Sequence, residues 1–216
     1  MSRSIIVNQT ELTSGAVIGI ANEAVKEDII AKVSALADDP QVAAIEWRSD
    51  EYENIFEITF KEVPAALEEV RKAAKDKPLL FSFRDAVIGG KHPAKYMYIA
   101  RLTAMAAKQG ADLVSAPLLP YEDASKSIIF EAANHNKRSV LTHIYPDRMP
   151  EKDELLKKLD EMKRYEADAI EIGALAADEK EAESFRAILE NYGKENDVMI
   201  IMSVLNTDGI EKKVVL

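Results

Sequence analysis

The sequence predicts an α/β fold, a parallel (β/α) barrel of the TIM type. From about residue 15 onwards, short apolar runs alternate with amphipathic, helix-like stretches over the 216-residue chain. This alternation is typical of βα units built around a parallel sheet. Two of the apolar runs end in arginine, at Arg48 and Arg84. Because a parallel barrel carries its active site at the carboxyl ends of its strands, we expect a barrel with a polar mouth.

The predicted elements follow from these runs and from helix boundary signals. Seven strands are predicted, at residues 16–21, 43–48, 78–84, 111–118, 138–145, 168–175 and 198–205. Six helices are predicted between them, at residues 24–37, 64–75, 93–109, 123–136, 152–165 and 178–192. Pro64 and Pro93 suit a first helical turn, and Gly110 suits a helix end. Residues 4–15 are interpreted as an N-terminal hairpin that plugs the amino-terminal end of the barrel.

The end of the chain departs from a regular barrel. Only eleven residues follow Leu205 in the 216-residue chain, whereas a parallel crossover needs at least about ten to twelve residues before its next strand begins. The eighth βα unit is therefore expected to be missing or irregular, and residues 206–216 are interpreted as a short tail of a single domain spanning 1–216. Three arrangements remain open: an exposed edge, an irregular patch formed by residues 214–216, or cover by a partner chain. The last favours a homodimer.

Composition narrows the classes of partner. The formal net charge is -10, and basic residues do not alternate with aromatic ones, so nucleic acid and anionic membranes are not expected to bind. The sequence contains no cysteine, which excludes disulfides and thiolate sites. No apolar run approaches the roughly 18 residues of a membrane span, and the N-terminus soon turns polar. We therefore expect a cytoplasmic protein.

Three charged residues alternate at the end of the second predicted strand. Glu46, Arg48 and Asp50 share one face of the chain, and Arg84 ends the next strand. They could form a structural ion-pair network among themselves, or they could contact a ligand. Because a guanidinium can hold a carboxylate with two hydrogen bonds, the ligand that suits them is a small anionic metabolite such as a polyhydroxy carboxylate.

The chain resembles the type I 3-dehydroquinate dehydratases, the Schiff-base enzymes of the shikimate pathway. The resemblance spans residues 4 to about 210 and rests on these segments: 45–50 with Tyr52, 77–84 with Gly89 and Gly90, 98–100, 167–168, and Met202 with Ser203. It implies a (β/α)8 barrel, a quinate-like or shikimate-like ligand, and substrate contacts from Glu46, Arg48 and Arg84.

The resemblance also implies a lysine at the end of the sixth strand, where the family forms an imine with the substrate ketone. This chain has Glu171 in that place, and a carboxylate cannot form a Schiff base. Lys91, Lys95 and Lys212 are the lysines considered as replacements. We expect that the imine step is lost unless one of them reaches the site.

The general base implied by the resemblance is a histidine after the fifth strand, oriented by a glutamate after the third. His143 is the candidate base, but alignment on the strand puts Ile144 at that position instead. Ile88 stands where the glutamate is expected. A one-residue shift can reverse the direction in which a side chain points, so the sequence leaves the orientation of His143 open.

Three functions are compatible with these residues. The leading hypothesis is a pseudoenzyme that keeps the binding mouth around Glu46, Arg48 and Arg84 but lacks Schiff-base catalysis. The alternative is an active carbon–oxygen lyase that dehydrates 3-dehydroquinate or a related acid without an imine, with His143 as base and Glu171 as acid or base. In the third, only the scaffold persists, as an oligomerisation module. No cofactor is predicted, and the three histidines lack the spacing of a metal site.

Overall fold

The computed structural model describes residues 4–56, 61–119, 122–206 and 211–216, and these residues build a closed eight-stranded barrel. Its strands are β3 (Val17–Ala21), β4 (Val42–Arg48), β5 (Leu79–Ser82), β6 (Leu113–Pro117), β7 (Arg138–Tyr145), β8 (Ala169–Leu175), β9 (Ile200–Leu205) and β10 (Glu211–Val215). β3 to β9 are parallel and neighbour one another in sequence order. The predicted TIM-type barrel with seven parallel strands is confirmed.

In the described part of the chain, six α-helices surround the barrel and follow the predicted order. They are α1 (Lys26–Asp38), α2 (Glu62–Ala73), α3 (Tyr96–Gln109), α4 (Glu122–Asn134), α5 (Lys152–Lys163) and α6 (Glu179–Asn196). Each buries an apolar stripe against the strands, as Ile29 and Val33 do in α1. In the described part of the chain, no helix has both the length and the apolar character needed to cross a membrane.

The N-terminal hairpin consists of β1 (Ile5–Val7) and β2 (Thr10–Leu12), which pair antiparallel. Asn8 and Gln9 connect them with positive φ angles of 47° and 68°, as a two-residue hairpin turn of the primed type requires. The hairpin packs on apolar residues at the amino-terminal ends of the barrel strands, namely Ile18, Ala44, Leu80, Leu113, Val140, Ala169, Met199 and Ile201. It therefore plugs this end of the barrel, as the sequence predicted.

The last strand, β10, closes the barrel. It runs antiparallel between β9 and β3, with Lys213 opposite Ser203 on one side and Ile18 on the other. An antiparallel neighbour needs only a short connection, whereas a parallel one needs a crossover. The eleven residues after Leu205 thus suffice. β10 occupies the edge that the sequence left open, and it begins at Glu211 rather than as a patch at 214–216. Residues 207–210 of the predicted tail lie outside the described residues.

The barrel interior has two levels because alternate residues of each strand face inward. The lower level is the apolar layer over the hairpin, to which β10 contributes Val215. The upper level holds charged side chains, including Glu46, Arg48 and Glu171, all of them buried. The core of larger apolar side chains lies outside the strands, under the helices.

We predict that Val215→Ala destabilises the protein by about 2 to 3 kcal/mol, since it removes buried methyl groups and leaves a cavity. Val215 has no exposed surface and packs in the lower level of the barrel. Urea unfolding followed by circular dichroism measures the change. Lys212→Ala, at an exposed position of the same strand, is the control and should unfold at the wild-type midpoint. Equal midpoints for Val215→Ala and wild type would show that β10 does not seal the barrel.

Candidate active site

The alternation of β4 fixes which side chains enter the barrel. Trp47 faces outward, where its ring meets those of Phe81 at 5.4 Å and Tyr52 at 6.1 Å between centroids. Its neighbours Glu46 and Arg48 consequently face inward. Both are buried despite their charges. The outer aromatic cluster therefore positions the two charged side chains that the sequence placed at the mouth.

Arg48 is anchored by the carboxylate that follows it. Its Nε and Nη2 donate to Oδ1 and Oδ2 of Asp50 over 3.0 and 2.8 Å. Asp50 Oδ1 also accepts from the backbone N–H of Arg84 over 3.2 Å. Asp50 has no exposed surface. Asp50 thus joins the end of β4 to the segment after β5 and orients both arginines.

The loop after β5 packs against the backbone of Arg84. A Cβ added to Gly90 would lie 1.8 Å from the Arg84 carbonyl oxygen, so only glycine fits there. Asp85 holds the loop by accepting from the backbone N–H groups of Val87 and Ala94 over 2.9 and 2.7 Å. The loop is therefore built to keep the arginine in place, and Ile88 within it is buried.

Both arginines bind one carboxylate, that of Glu211 at the start of β10. Arg84 Nη1 donates to Glu211 Oε2 over 2.9 Å, and Arg84 Nη2 donates to Oε1. Arg48 Nη1 donates to Oε2 over 3.3 Å. The hydroxyl of Ser203 on β9 also donates to Oε1. The anion-binding groups predicted from sequence are thus brought together, around a carboxylate of the chain itself.

A lysine lies at the centre of the barrel, and it is Lys213 of β10. Its Nζ lies 2.8 Å from Glu171 Oε1 and also contacts Glu46 Oε2. The Lys213 side chain has no exposed surface. The three lysines considered from sequence lie elsewhere: Lys91 pairs with Glu51 at the surface, and Lys95 and Lys212 are exposed. The lysine that reaches the barrel centre was therefore not among the candidates named from sequence.

Glu171 stands inside the barrel, as its place in the resemblance implies. Its Oε1 also accepts from Arg84 Nη2 over 3.3 Å. Its Oε2 accepts a hydrogen bond from Thr142 Oγ1 over 3.1 Å. The hydroxyls of Thr142 and Ser115 are in turn hydrogen-bonded to each other over 2.8 Å. Every oxygen of this carboxylate is thereby used in the fold.

These contacts make one buried charge network. In the described residues, four carboxylates face three cations, and the network carries one formal negative charge in excess; its members are Glu46, Asp50, Glu171, Glu211, Arg48, Arg84 and Lys213. We call this set the barrel network. Pairing is the condition under which charges of this kind are tolerated inside a protein. Glu46, Arg48 and Asp50 thus make the contacts of a structural ion-pair network, which the sequence left as one of two possibilities.

The network shifts the pKa values of Lys213, Glu211 and Glu46. Burial alone would lower the pKa of Lys213, but the Glu171 and Glu46 carboxylates raise it above its usual value. Burial would raise the pKa of Glu211, but Arg84 and Lys213 hold that pKa far below its usual range. The pKa of Glu46 is also lowered, against the effect of burial, by Lys213 and Arg84. These groups are accordingly ionised at neutral pH.

His143 lies outside the barrel. Thr142 points inward to Glu171, so the next residue along β7 faces the helix layer. There the His143 ring meets that of Tyr145 at 4.7 Å between centroids. Burial, with the nearby Lys158 ammonium of α5, lowers the pKa of His143 to about 4. The imidazole is therefore neutral at pH 7 and separated from the barrel network by the sheet.

Ile144 takes the inward position on β7. A Cβ added to Gly173, its neighbour on β8, would lie 2.5 Å from Ile144 Cδ1, so the isoleucine fills the interior there. This agrees with the alignment that puts Ile144, not His143, where the resemblance implies the base. In the described residues, no three His, Asp or Glu side chains are grouped so as to hold a metal ion.

Comparison with known proteins gives one family. A sequence model described as type I 3-dehydroquinase matches residues 23–212. The 3-dehydroquinate dehydratase of Clostridium kluyveri is 29% identical over 196 residues, which cover 89% of this chain and 74% of that protein. The 3-dehydroquinate dehydratase of Clostridioides difficile is 30% identical over 157 residues, covering 72% of this chain and 60% of that protein.

Solved structures agree with the sequence comparison. The type I 3-dehydroquinate dehydratase from Clostridium difficile, solved with covalently modified comenic acid, superposes with a TM-score of 0.84 at 26% identity, covering 94% of this chain and 81% of that one. The 3-dehydroquinate dehydratase from Enterococcus faecalis superposes with a TM-score of 0.82 at 25% identity, covering 95% and 86%.

We predict that Lys213→Met destabilises the protein by about 3 to 5 kcal/mol, because it leaves the buried Glu46 and Glu171 carboxylates without their shared cation. Urea unfolding at pH 7 measures the loss. Lys72→Met, which removes an exposed ion pair with Glu68, is the control and should leave the midpoint unchanged.

The cause can be checked by pH and by a second substitution. In wild type, the lowered pKa of Glu46 contributes stability above its usual pKa of 4.5, and this contribution is lost as the pH falls through the folded-state value. In Lys213→Met, Glu46 lacks a cation that lowers its pKa and is more readily protonated, so lowering the pH from 7 to 4 should narrow the stability gap to wild type. Adding Glu171→Gln should restore part of the stability. If Lys213→Met were as stable as wild type at pH 7, the buried pairing of Lys213 with Glu46 and Glu171 would be contradicted.

Proposed function

This chain belongs to the type I 3-dehydroquinase family, and we propose that it is a dehydroquinase-like member without Schiff-base catalysis that binds a small hydroxylated carboxylate at Arg48 and Arg84. One observation carries the proposal. The amine at the barrel centre, Lys213, is an ammonium held between two buried carboxylates.

An imine forms only from a neutral amine, since the nitrogen lone pair attacks the carbonyl carbon. Lys213 lies against Glu171 and Glu46, and both carboxylates raise its pKa. Enzymes that use a lysine in this way lower its pKa instead, by burial away from anions or beside another cation. The surroundings of Lys213 therefore oppose nucleophilic attack.

Proton transfer is the second requirement of a dehydratase. The resemblance implies an imidazole and an orienting carboxylate, and this chain has Ile144 and Ile88 in those places. An alkyl side chain neither accepts nor donates a proton. The His143 imidazole of the alternative lyase faces the helix layer, with Lys158 of α5 nearby. These placements support binding over elimination.

The binding half of the proposal rests on the arginine pair. Arg48 and Arg84 together donate to both oxygens of the Glu211 carboxylate, so their geometry suits a carboxylate. The relatives named above are 3-dehydroquinate dehydratases, and the corresponding ligand here is a quinate-like or shikimate-like acid. Because the net charge of -10 repels anions, an anionic ligand needs buried cations such as Arg48 and Arg84 to attract it.

We predict that 3-dehydroquinate and sodium borohydride together leave the mass of the wild-type protein unchanged, because no neutral amine is available for reduction as an imine. Intact-protein mass spectrometry measures this, with a lysine-bearing family member as the positive control. An adduct mapped to Lys213 would refute the loss of imine chemistry.

The binding half is tested by thermal unfolding: quinate should raise the Tm of wild type and of the surface control Arg148→Met, but not of Arg48→Met. No response of wild type to quinate or shikimate would refute the binding function.

Other expectations from the sequence stay predictions. The homodimer was inferred from an open barrel edge, which β10 occupies, and light scattering tests whether the protein is a dimer. The cytoplasmic location and the lack of nucleic-acid or membrane partners likewise rest on composition.

A further inference from the structure

The carboxylate of Glu211 occupies the arginine pair in the way that a bound acid would. It receives hydrogen bonds from Arg84 on both oxygens, a third from Arg48 and a fourth from the Ser203 hydroxyl. Four donors on one carboxylate is the pattern of an anion-binding site. Yet this carboxylate comes from the chain itself, at the first residue of β10.

Glu211 differs from the other carboxylates of the barrel network in two respects. Its side chain is 9% exposed, whereas those of Glu46, Asp50 and Glu171 are at most 1% exposed. It is therefore the carboxylate closest to water. It also lies at the end of a strand, so its side chain can rotate outward while Lys213 and Val215 keep their places in the sheet.

The rest of the network can lose Glu211 without leaving a cation unpaired. Arg48 keeps its two hydrogen bonds to Asp50, and Arg84 keeps Glu171. Without Glu211, three carboxylates remain for three cations. A free carboxylate that enters then restores the same total charge. Exchange is thus balanced in charge, and the penalty that normally follows the removal of one partner from a buried ion pair is small here.

We propose that Glu211 is an internal competitor for the arginine pair, so that a free carboxylate binds at Arg48 and Arg84 only by displacing the Glu211 side chain. This inference deepens the proposed function and rests on it for the identity of the acid. A tethered group competes at a high effective concentration, so the wild-type site is autoinhibited. A ligand succeeds when hydroxyl groups beside its carboxylate add contacts that Glu211 cannot make.

The first test removes the competitor and supplies a small substitute. Glu211→Ala should gain about 3 °C in Tm from sodium formate at about ten times its Kd, relative to sodium chloride of equal ionic strength. Wild type should show no such difference. The matched control is Glu154→Ala, which breaks a two-bond ion pair with Arg148 at the surface; exposed to water and salt, this site should show no formate effect.

The second test measures quinate affinity by titration calorimetry. Glu211→Ala should bind quinate at least about tenfold more tightly than wild type, since the tethered competitor is gone. If Glu211→Ala does not fold, Glu211→Gln keeps the side-chain shape, removes the charge, and should also bind quinate more tightly than wild type.

The outcomes separate this inference from the proposed function. Formate stabilisation confined to Glu211→Ala, with tighter quinate binding, supports both. Formate stabilisation without any quinate binding supports the competitor and refutes the hydroxylated acid as ligand. Absence of a formate effect in Glu211→Ala, or equal quinate affinities in wild type and the Glu211 variant, overturns the inference.

Discussion

The Lys213 ammonium, held between the Glu46 and Glu171 carboxylates, is the contact on which the structure and the proposed chemistry both depend. These residues lie on β10, β4 and β8, so the pairing ties together strands from distant parts of the sequence. A fully buried lysine is stable only with such partners. The same carboxylates that make the burial tolerable also keep the amine protonated, and a protonated amine cannot attack a ketone.

Two features of this chain compensate each other in charge. A carboxylate, Glu171, stands where the family resemblance implies a lysine, and an ammonium on β10 stands beside it. Because β10 is a short antiparallel strand in place of a whole βα unit, the barrel closes with few residues and delivers Lys213 and Glu211 into the interior. The last strand thus supplies both the cation at the centre and the carboxylate at the mouth. This strand thereby completes the polar interior of the barrel.

Much of the fold could be predicted from the sequence, because the parallel strands are apolar runs and the helices have apolar stripes. The strand β10 could not, since three of its five residues in Glu211–Val215 are charged. The alternation of Glu211, Lys213 and Val215 was the available signal. Arg48 and Arg84 could be placed at the mouth by strand alternation, but their partner Glu211 is 127 residues from Arg84. The direction of His143 depended on a one-residue register that only the sheet pairing fixes.

The protonation state of Lys213 decides whether this chain can form an imine at the barrel centre. A pH titration of the Nζ resonance in ¹⁵N-lysine-labelled protein, assigned with Lys213→Met, reports whether the nitrogen is an ammonium. We predict that Lys213 remains protonated, with slowly exchanging hydrogens, beyond pH 10.5, the usual lysine value. A midpoint well below that value would show a neutral amine at the barrel centre and would contradict the claim that this chain has lost imine chemistry.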